Sequence, residues 1–233
     1  MVMNKLFAIA DPHLSFASGK PMDIFGDEWQ GHWARIAANW REDVSEGDTV
    51  IVAGDISWAL KFADAIPDLD FLHGLPGRKL LVRGNHDLWW HGIKKLNAMY
   101  GDMRFLQNDF AMLDDGIAVC GSRGWGLPGL EDYGAADEKI AARECIRLRL
   151  SFDAAVAAGA ADIVCATHFP PALTPQNSSI FTDVIESYPV SQAVYGHLHG
   201  RAAYKKGIKG EYRGVVYRLV SCDYLGFRPL RIL

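Results

Sequence analysis

The segment Arg83-Gly84-Asn85-His86-Asp87 places an amide oxygen, an imidazole and a carboxylate on three successive residues behind a glycine. These are the donor types that hold divalent ions and move protons, and three in a row at one turn specify a site rather than a scaffold. The same types recur along the chain. Asp11-Pro12-His13 separates two donors by one residue, and in extended backbone such side chains face the same way. Asp55 follows Gly54, His168 follows Thr167, and Gly196-His197-Leu198-His199 repeats the one-residue separation.

Every one of these donors stands at the end of an apolar run. Lys5 to Ala10, Thr49 to Ala53, Lys79 to Val82, Asp162 to Ala166 and Gln192 to Tyr195 read as buried strands. Donors at neighbouring exits of one sheet edge can converge. The five exits carry Asp11 and His13, Asp55, Asn85 and His86, His168, and His197 and His199, which uses five of the eight histidines. A lone buried histidine needs no function, but five exits together predict a metal site. Mixed carboxylate, imidazole and amide donors suit manganese, iron, zinc or cobalt better than magnesium or calcium. Their number exceeds the need of one ion, so two divalent transition-metal ions are expected, as used for in-line displacement at phosphorus. Two such ions about 3.5 to 4 Å apart repel by on the order of 19 kcal/mol at an effective dielectric of 20, so an anion must lie between them.

The elements that must position these donors follow from periodicity. Trp29, Trp33, Ile36, Trp40 and Val44 fall on one face of a helix, with the tryptophans read as core. Ser57 is expected to cap a helix carrying Trp58, Phe62, Ile66, Leu69 and Leu72, bent at Pro67, and another helix is expected near Leu88 to Met99. This strand-helix alternation predicts a parallel, helix-flanked sheet. Beyond residue 100, Arg104 to Leu106 and Gly116 to Cys120 read as short strands, with Asp114-Asp115-Gly116 as a hairpin-type turn. A long helix is expected from Ala136 to Ala158, and further strands at Ala202 to Tyr204, Val215 to Ser221 and Arg228 to Leu233. Residues 14 to 25 and 121 to 136 read as long loops, the second carrying Arg123, Trp125, Pro128, Glu131 and Tyr133.

With 233 residues, 49% hydrophobic and 22% charged, the chain is long enough for one large core, and residues 1–233 are expected to form one domain. A net charge of -4 argues against broad electrostatic binding to nucleic acid without excluding a local basic strip. Leu6 to Ala10 is too short for a signal-peptide core and no apolar run reaches spanning length, so a cytoplasmic location without a membrane partner is expected. Cys120, Cys145, Cys165 and Cys222 are widely spaced in apolar runs and read as reduced core thiols.

In order, D-P-H, G-D, G-N-H-D, H and G-H-L-H between positions 11 and 199 resemble the motifs of the calcineurin-like metallophosphoesterases. The resemblance implies an α/β fold, two mixed β-sheets in a sandwich flanked by helices. It implies that Asp11, His13 and His199 hold one ion, that Asn85, His168 and His197 hold the other, and that Asp55 bridges them. It implies that His86 faces the substrate as proton donor or transition-state stabiliser, oriented by Asp87. The activity it implies is hydrolysis of phosphomonoesters or phosphodiesters, with small-molecule phosphate esters as substrates, by in-line attack of a metal-bridging hydroxide. Purple acid phosphatases, which share the motif set, place a tyrosine ligand three residues after the bridging aspartate. Here that residue is Trp58, which argues against a ferric-tyrosinate centre.

Outside the motifs, Arg83 and Arg123 either pair with phosphate oxygens or form strand-end salt bridges. Arg201, Lys205, Lys206, Lys209 and Arg213 read as a solvated hairpin, with a polyanion site as the competing reading. Phe16, Trp89, Trp90 and Trp125 could stack on a base, with core packing preferred for Trp89 and Trp90. His32, His73 and His91 have no ligand partners in sequence and are expected to be surface or helix residues. A non-catalytic protein-binding module on the same fold is the rival function, but such relatives lose motif histidines that this chain keeps. A nuclease is the third reading, and the net acidity weighs against it.

Overall fold

The computed structural model describes residues 4–114, 116–130 and 133–233; Asp115 of the expected turn and Glu131 of the expected 121–136 loop lie outside them. In chain order the elements begin β1 (Leu6–Ile9), α1 (His32–Asp43), β2 (Thr49–Ala53), α2 (Phe62–His73), β3 (Arg78–Val82), α3 (Ile93–Leu96) and β4 (Met103–Phe105). They continue β5 (Phe110–Met112), β6 (Ile117–Ser122), α4 (Ala135–Ala157), β7 (Asp162–Thr167), α5 (Ile180–Ile185) and β8 (Val190–Tyr195). The last are α6 (Gly200–Ala203), β9 (Gly210–Tyr212), β10 (Val215–Leu219) and β11 (Leu230–Arg231). The chain divides into two compact units, Met1–Phe105 with Val220–Leu233, and Leu106–Leu219. Each is built on one mixed sheet flanked by helices, so the architecture is α/β with two mixed sheets.

The first unit has the five-stranded sheet β11-β1-β2-β3-β4, parallel except for β11. Its central strands are buried along their whole length, which is why they read as continuous apolar runs rather than alternating ones. Phe7, Ile9, Val50, Val52 and Leu81 form one core with Ile36 and Trp40 of α1 and Ala65, Leu69 and Leu72 of α2. Pro67 sits inside α2 without ending it, and it faces solvent on the side opposite the buried Leu69 and Leu72.

The second unit has the six-stranded sheet β5-β6-β7-β8-β10-β9, parallel in the middle and antiparallel at both edges. Cys120, Cys165, Ala193, Tyr195 and Tyr217 pack with Leu148, Phe152 and Ala155 of α4 and Phe181 and Val184 of α5. All four cysteines are free and buried, as expected of core thiols. Burial pushes the Cys120 thiol to about 12 and the Cys145 thiol to about 11. Among the described residues no helix is long and apolar enough to cross a membrane.

Several local expectations are overturned. Trp33 is 46% exposed rather than core. It keeps the helical phase of Ile36 and Trp40 but stands in the first turn of α1, where its ring packs edge-on against Phe16 at 5.6 Å and Phe71 at 6.4 Å and stays open to solvent on the other side. Ser57 does not cap α2, whose first residue comes five positions later; its hydroxyl instead donates to the buried Asp68. Trp58 accordingly lies ahead of the helix. The helix near residues 88–99 shrinks to the four residues of α3, because Trp89 turns its indole N–H onto Asp87 at 3.0 Å. Ala202 to Tyr204 is helical, not extended, with Tyr204 N–H bonded to the Gly200 carbonyl at 3.1 Å. The hairpin joining β9 to β10 turns at Arg213-Gly214, both at positive φ. Helix α5 had no counterpart in the sequence reading.

Candidate active site

In the first unit, strand pairing continues past the ends of β1 and β2. Asp11 N–H bonds the Gly54 carbonyl at 2.9 Å, His13 N–H the Asp55 carbonyl at 3.0 Å, and Leu14 N–H the Ile56 carbonyl at 2.9 Å. This parallel register brings the donors of two exits side by side. Asp11, His13 and Asp55 are 0, 2 and 1% exposed, and all three are at positive φ. Ligating atoms of Asp11 and His13 lie within 4.8 Å of one another, and His13 Nε2 is 3.8 Å from Asp55 Oδ2.

The turn after β3 closes over Asp55. His86 N–H donates to Asp55 Oδ1 at 2.8 Å, and a Cβ on Gly84 would lie 2.1 Å from that same oxygen. Only a residue without a side chain passes there. Asp87 is fully buried: its Oδ1 accepts from the N–H groups of Ile56 at 2.9 Å and Ser57 at 3.1 Å, and its Oδ2 from Gly84 N–H at 2.8 Å. Asp87 thereby ties the β3 turn to the β2 turn. Half-buried Asn85 lies between Gly84 and His86, whose side chain is 42% exposed, with Nε2 4.0 Å from Asp55 Oδ2. The Trp58 ring stacks on His13 at 4.8 Å and tilts against His86 at 4.2 Å.

The second unit has imidazoles at its own strand exits. His168 is fully buried at the exit of β7, and its Nε2 is 3.3 Å from His197 Nδ1 at the exit of β8. His197 is at φ 71°. The Arg123 carbonyl accepts from both His168 and Phe169 N–H at 3.0 Å, and Gly196 N–H donates to the His168 carbonyl at 3.0 Å, so both histidine turns are fixed through backbone. His199 is partly buried, in extended conformation just ahead of α6.

A family model described as calcineurin-like phosphoesterase matches residues 5–201. The chain belongs to that family. The match runs through both units and covers every motif donor. In the Gene 66 protein of Mycobacterium phage L5, 32% of 85 aligned residues are identical, over 36% of this chain and 41% of that protein. The match thus spans less than half the length of that relative. Among solved structures, the phosphopantetheinyl hydrolase of Mycobacterium tuberculosis is similar at a TM-score of 0.58, with 16% identity over 99% of this chain and 96% of that one. A protein of unknown function from Aquifex aeolicus, AQ665, is similar at 0.54, with 16% identity over 98% and 95%. At such identities the likeness is one of fold.

Around the motif residues, the structure gives the arginines partners. Arg83 Nε donates to the Asp87 carbonyl at 3.2 Å. Arg123 lies 3.6 Å from the buried Glu144 and over the Trp125 ring at 4.2 Å. In the basic strip, Arg213 pairs with Glu186 at 3.1 Å and Lys209 folds back on the Gly207 carbonyl at 3.0 Å. Both contacts fit the solvated-hairpin reading. His32, expected as a surface or helix residue, opens α1 and is buried, with Nε2 2.9 Å from the Pro12 carbonyl and Nδ1 3.1 Å from the Trp29 carbonyl. Burial is the largest influence on its imidazole and pulls the pKa below the ordinary value. The loop from residue 14 is pinned, with Phe16 N–H bonded to Asp68 at 2.9 Å and Lys20 5.2 Å above the Trp58 ring. The roles of Trp58 and His32 escaped sequence reading because neither lies in a donor motif; their partners are set by packing.

Asp87→Ala leaves three backbone N–H groups and the Trp89 indole N–H facing a hole. Unmet buried donors cost about 1–3 kcal/mol each, tempered by relaxation, so a loss of about 3–5 kcal/mol is expected. Urea unfolding in EDTA, which removes any contribution from bound ions, checks this; a loss under about 1 kcal/mol would mean the turns are not held through Asp87.

Proposed function

We propose that residues 1–233 act as one dinuclear-metal-dependent phosphoesterase domain that hydrolyses small phosphomonoesters or phosphodiesters in the cytoplasm. The observation that carries this reading is backbone strain. Eight non-glycine residues are at positive φ among the described residues, and four of them are Asp11, His13, Asp55 and His197. Each such residue costs about 1–3 kcal/mol and persists where surrounding structure over-determines it, which is typical of functional sites.

The donor set fits divalent transition-metal ions. Asp11 with His13, and His168 with His197, present buried or half-buried carboxylate and imidazole atoms at separations suited to shared ligation. By the family pattern, Asp11, His13 and His199 hold one ion, Asn85, His168 and His197 the other, and Asp55 bridges. Bound ions of manganese, iron, zinc or cobalt supply Lewis-acid polarisation of the phosphoryl group and a water nucleophile at neutral pH. His86 is exposed enough to meet a substrate, and Asp87 positions it by fixing the turn that carries it. Trp58 holds the His13 and His86 rings against rotation.

Elemental analysis after manganese or iron loading should find close to two ions per chain, and one ion or none would refute the dinuclear reading. Loaded protein is then assayed on aryl monoesters, aryl diesters, cyclic nucleotides, a phosphopantetheinyl ester and single-stranded DNA. Turnover of a small ester is expected, whereas cleavage of DNA alone would make the protein a nuclease, and no turnover at all would favour a binding module.

A further inference from the structure

The turn that carries Asp11 and His13 is held from several directions. Asp11 N–H bonds the Gly54 carbonyl at 2.9 Å, His13 N–H the Asp55 carbonyl at 3.0 Å, and Cys222 Sγ contacts the Asp11 carbonyl at 2.9 Å. Pro12 between them has no N–H, and its carbonyl is met by His32 Nε2 at 2.9 Å. His32 opens α1, a helix anchored in the core by Ile36 and Trp40. Its ring is packed between Trp29 at 5.4 Å and Phe227 at 6.3 Å, and Trp29 in turn lies 6.2 Å from His13. The imidazole is therefore fixed to the scaffold with Nε2 aimed at the middle residue of the donor turn.

We propose that His32 is a positioning residue of the metal centre, holding the Pro12 carbonyl so that Asp11 and His13 keep the left-handed backbone that lets their ligating atoms converge. It is not itself a ligand, since both ring nitrogens face carbonyl oxygens, of Pro12 and of Trp29. Asp11 and His13 at φ 59° and 42° occupy a region that L side chains leave when unrestrained. Releasing the peptide between them lets the turn relax and the two donors diverge. Groups that hold ligands in place typically contribute 10- to 100-fold in metal affinity when removed.

The inference rests on the dinuclear reading, and the test separates the two. Manganese is titrated calorimetrically into metal-free wild type, His32→Leu, His32→Gln and His32→Asn, with urea unfolding in EDTA run alongside. Leucine fills the space without a donor, glutamine carries an N–H near the position of Nε2, and asparagine carries one nearer that of Nδ1. His32→Leu should bind about 10- to 100-fold more weakly at one site, with His32→Gln restoring most of the affinity and His32→Asn little of it. Should the leucine variant fail to fold, the glutamine-asparagine difference decides alone, and equal affinities overturn the proposal. Wild-type affinity in His32→Leu, or equal losses in leucine and glutamine variants, also overturns it while leaving the dinuclear reading intact. Wild type that binds no manganese overturns both.

Discussion

Gly84→Ala will lower kcat/KM by at least about 100-fold, whereas Gly92→Ala, eight residues on, will leave it unchanged. A Cβ at position 84 would lie 2.1 Å from Asp55 Oδ1 and 2.2 Å from the Asp55 backbone nitrogen. The carboxylate could rotate, but the backbone nitrogen cannot, so either the Asp55 turn or the turn carrying Asn85 and His86 must shift. A misplacement of about 1 Å in a catalytic constellation costs on the order of 100-fold. At Gly92 a Cβ would meet nothing within 4 Å, and φ there is -56°, which alanine adopts without strain. Because Asp55 is the proposed bridge, Gly84→Ala should also lower the ion content toward that of Asp55→Asn. Kinetics on nitrophenyl phosphate esters with elemental analysis of the same samples check both statements. Full activity in Gly84→Ala would show that the close approach has no part in the site.

His86→Ala should keep both ions and lose about 10²- to 10⁴-fold in rate on phenyl or alkyl phosphoesters, the range typical of general acid catalysis. On nitrophenyl esters the loss should be far smaller, since that departing phenolate is stable without a proton. The geometry supports this division of labour. The His86 side chain is 42% exposed, whereas its backbone N–H is bound to Asp55, so removing the ring leaves the hydrogen bond that orders the turn. Single-turnover kinetics establish that chemistry is being measured. Equal losses on both leaving groups would assign His86 to stabilising phosphoryl oxygens, and loss of an ion would make it a ligand.

Much of this architecture is legible before any coordinates. Thr49 to Ala53 forms β2 with the boundaries its β-branched run suggests, and the helix expected at Ala136 to Ala158 runs from Ala135 to Ala157. Fully buried parallel strands leave a signal that survives in sequence, because both faces demand apolar residues. Helix boundaries near the donors were less legible. Residues 57, 58 and 88 to 92 have helix-compatible composition, yet Ser57, Asp68, Asp87 and Trp89 hydrogen-bond across turns and win over local propensity. The expected core tryptophan at position 33 failed for a related reason. It is in phase with the buried Ile36 and Trp40, but how far the core reaches along a helix is set by what packs over its end, which no periodicity count detects.

By itself the sequence singled out the residues expected to carry chemistry, since donor types at strand exits, in a fixed order, depend on identity and spacing alone. Its apolar runs predicted a parallel, helix-flanked sheet, and the family resemblance carried by the motifs implied the two mixed sheets. Only the tertiary structure decided how those donors are held. That Gly84 is needed for space rather than for φ, that Asp87 binds three backbone amides, and that buried His32 sets Nε2 against the Pro12 carbonyl all depend on residues far apart in sequence. Such contacts arise when parallel strands align their exits, and a one-dimensional pattern records the residues that meet there without recording the meeting.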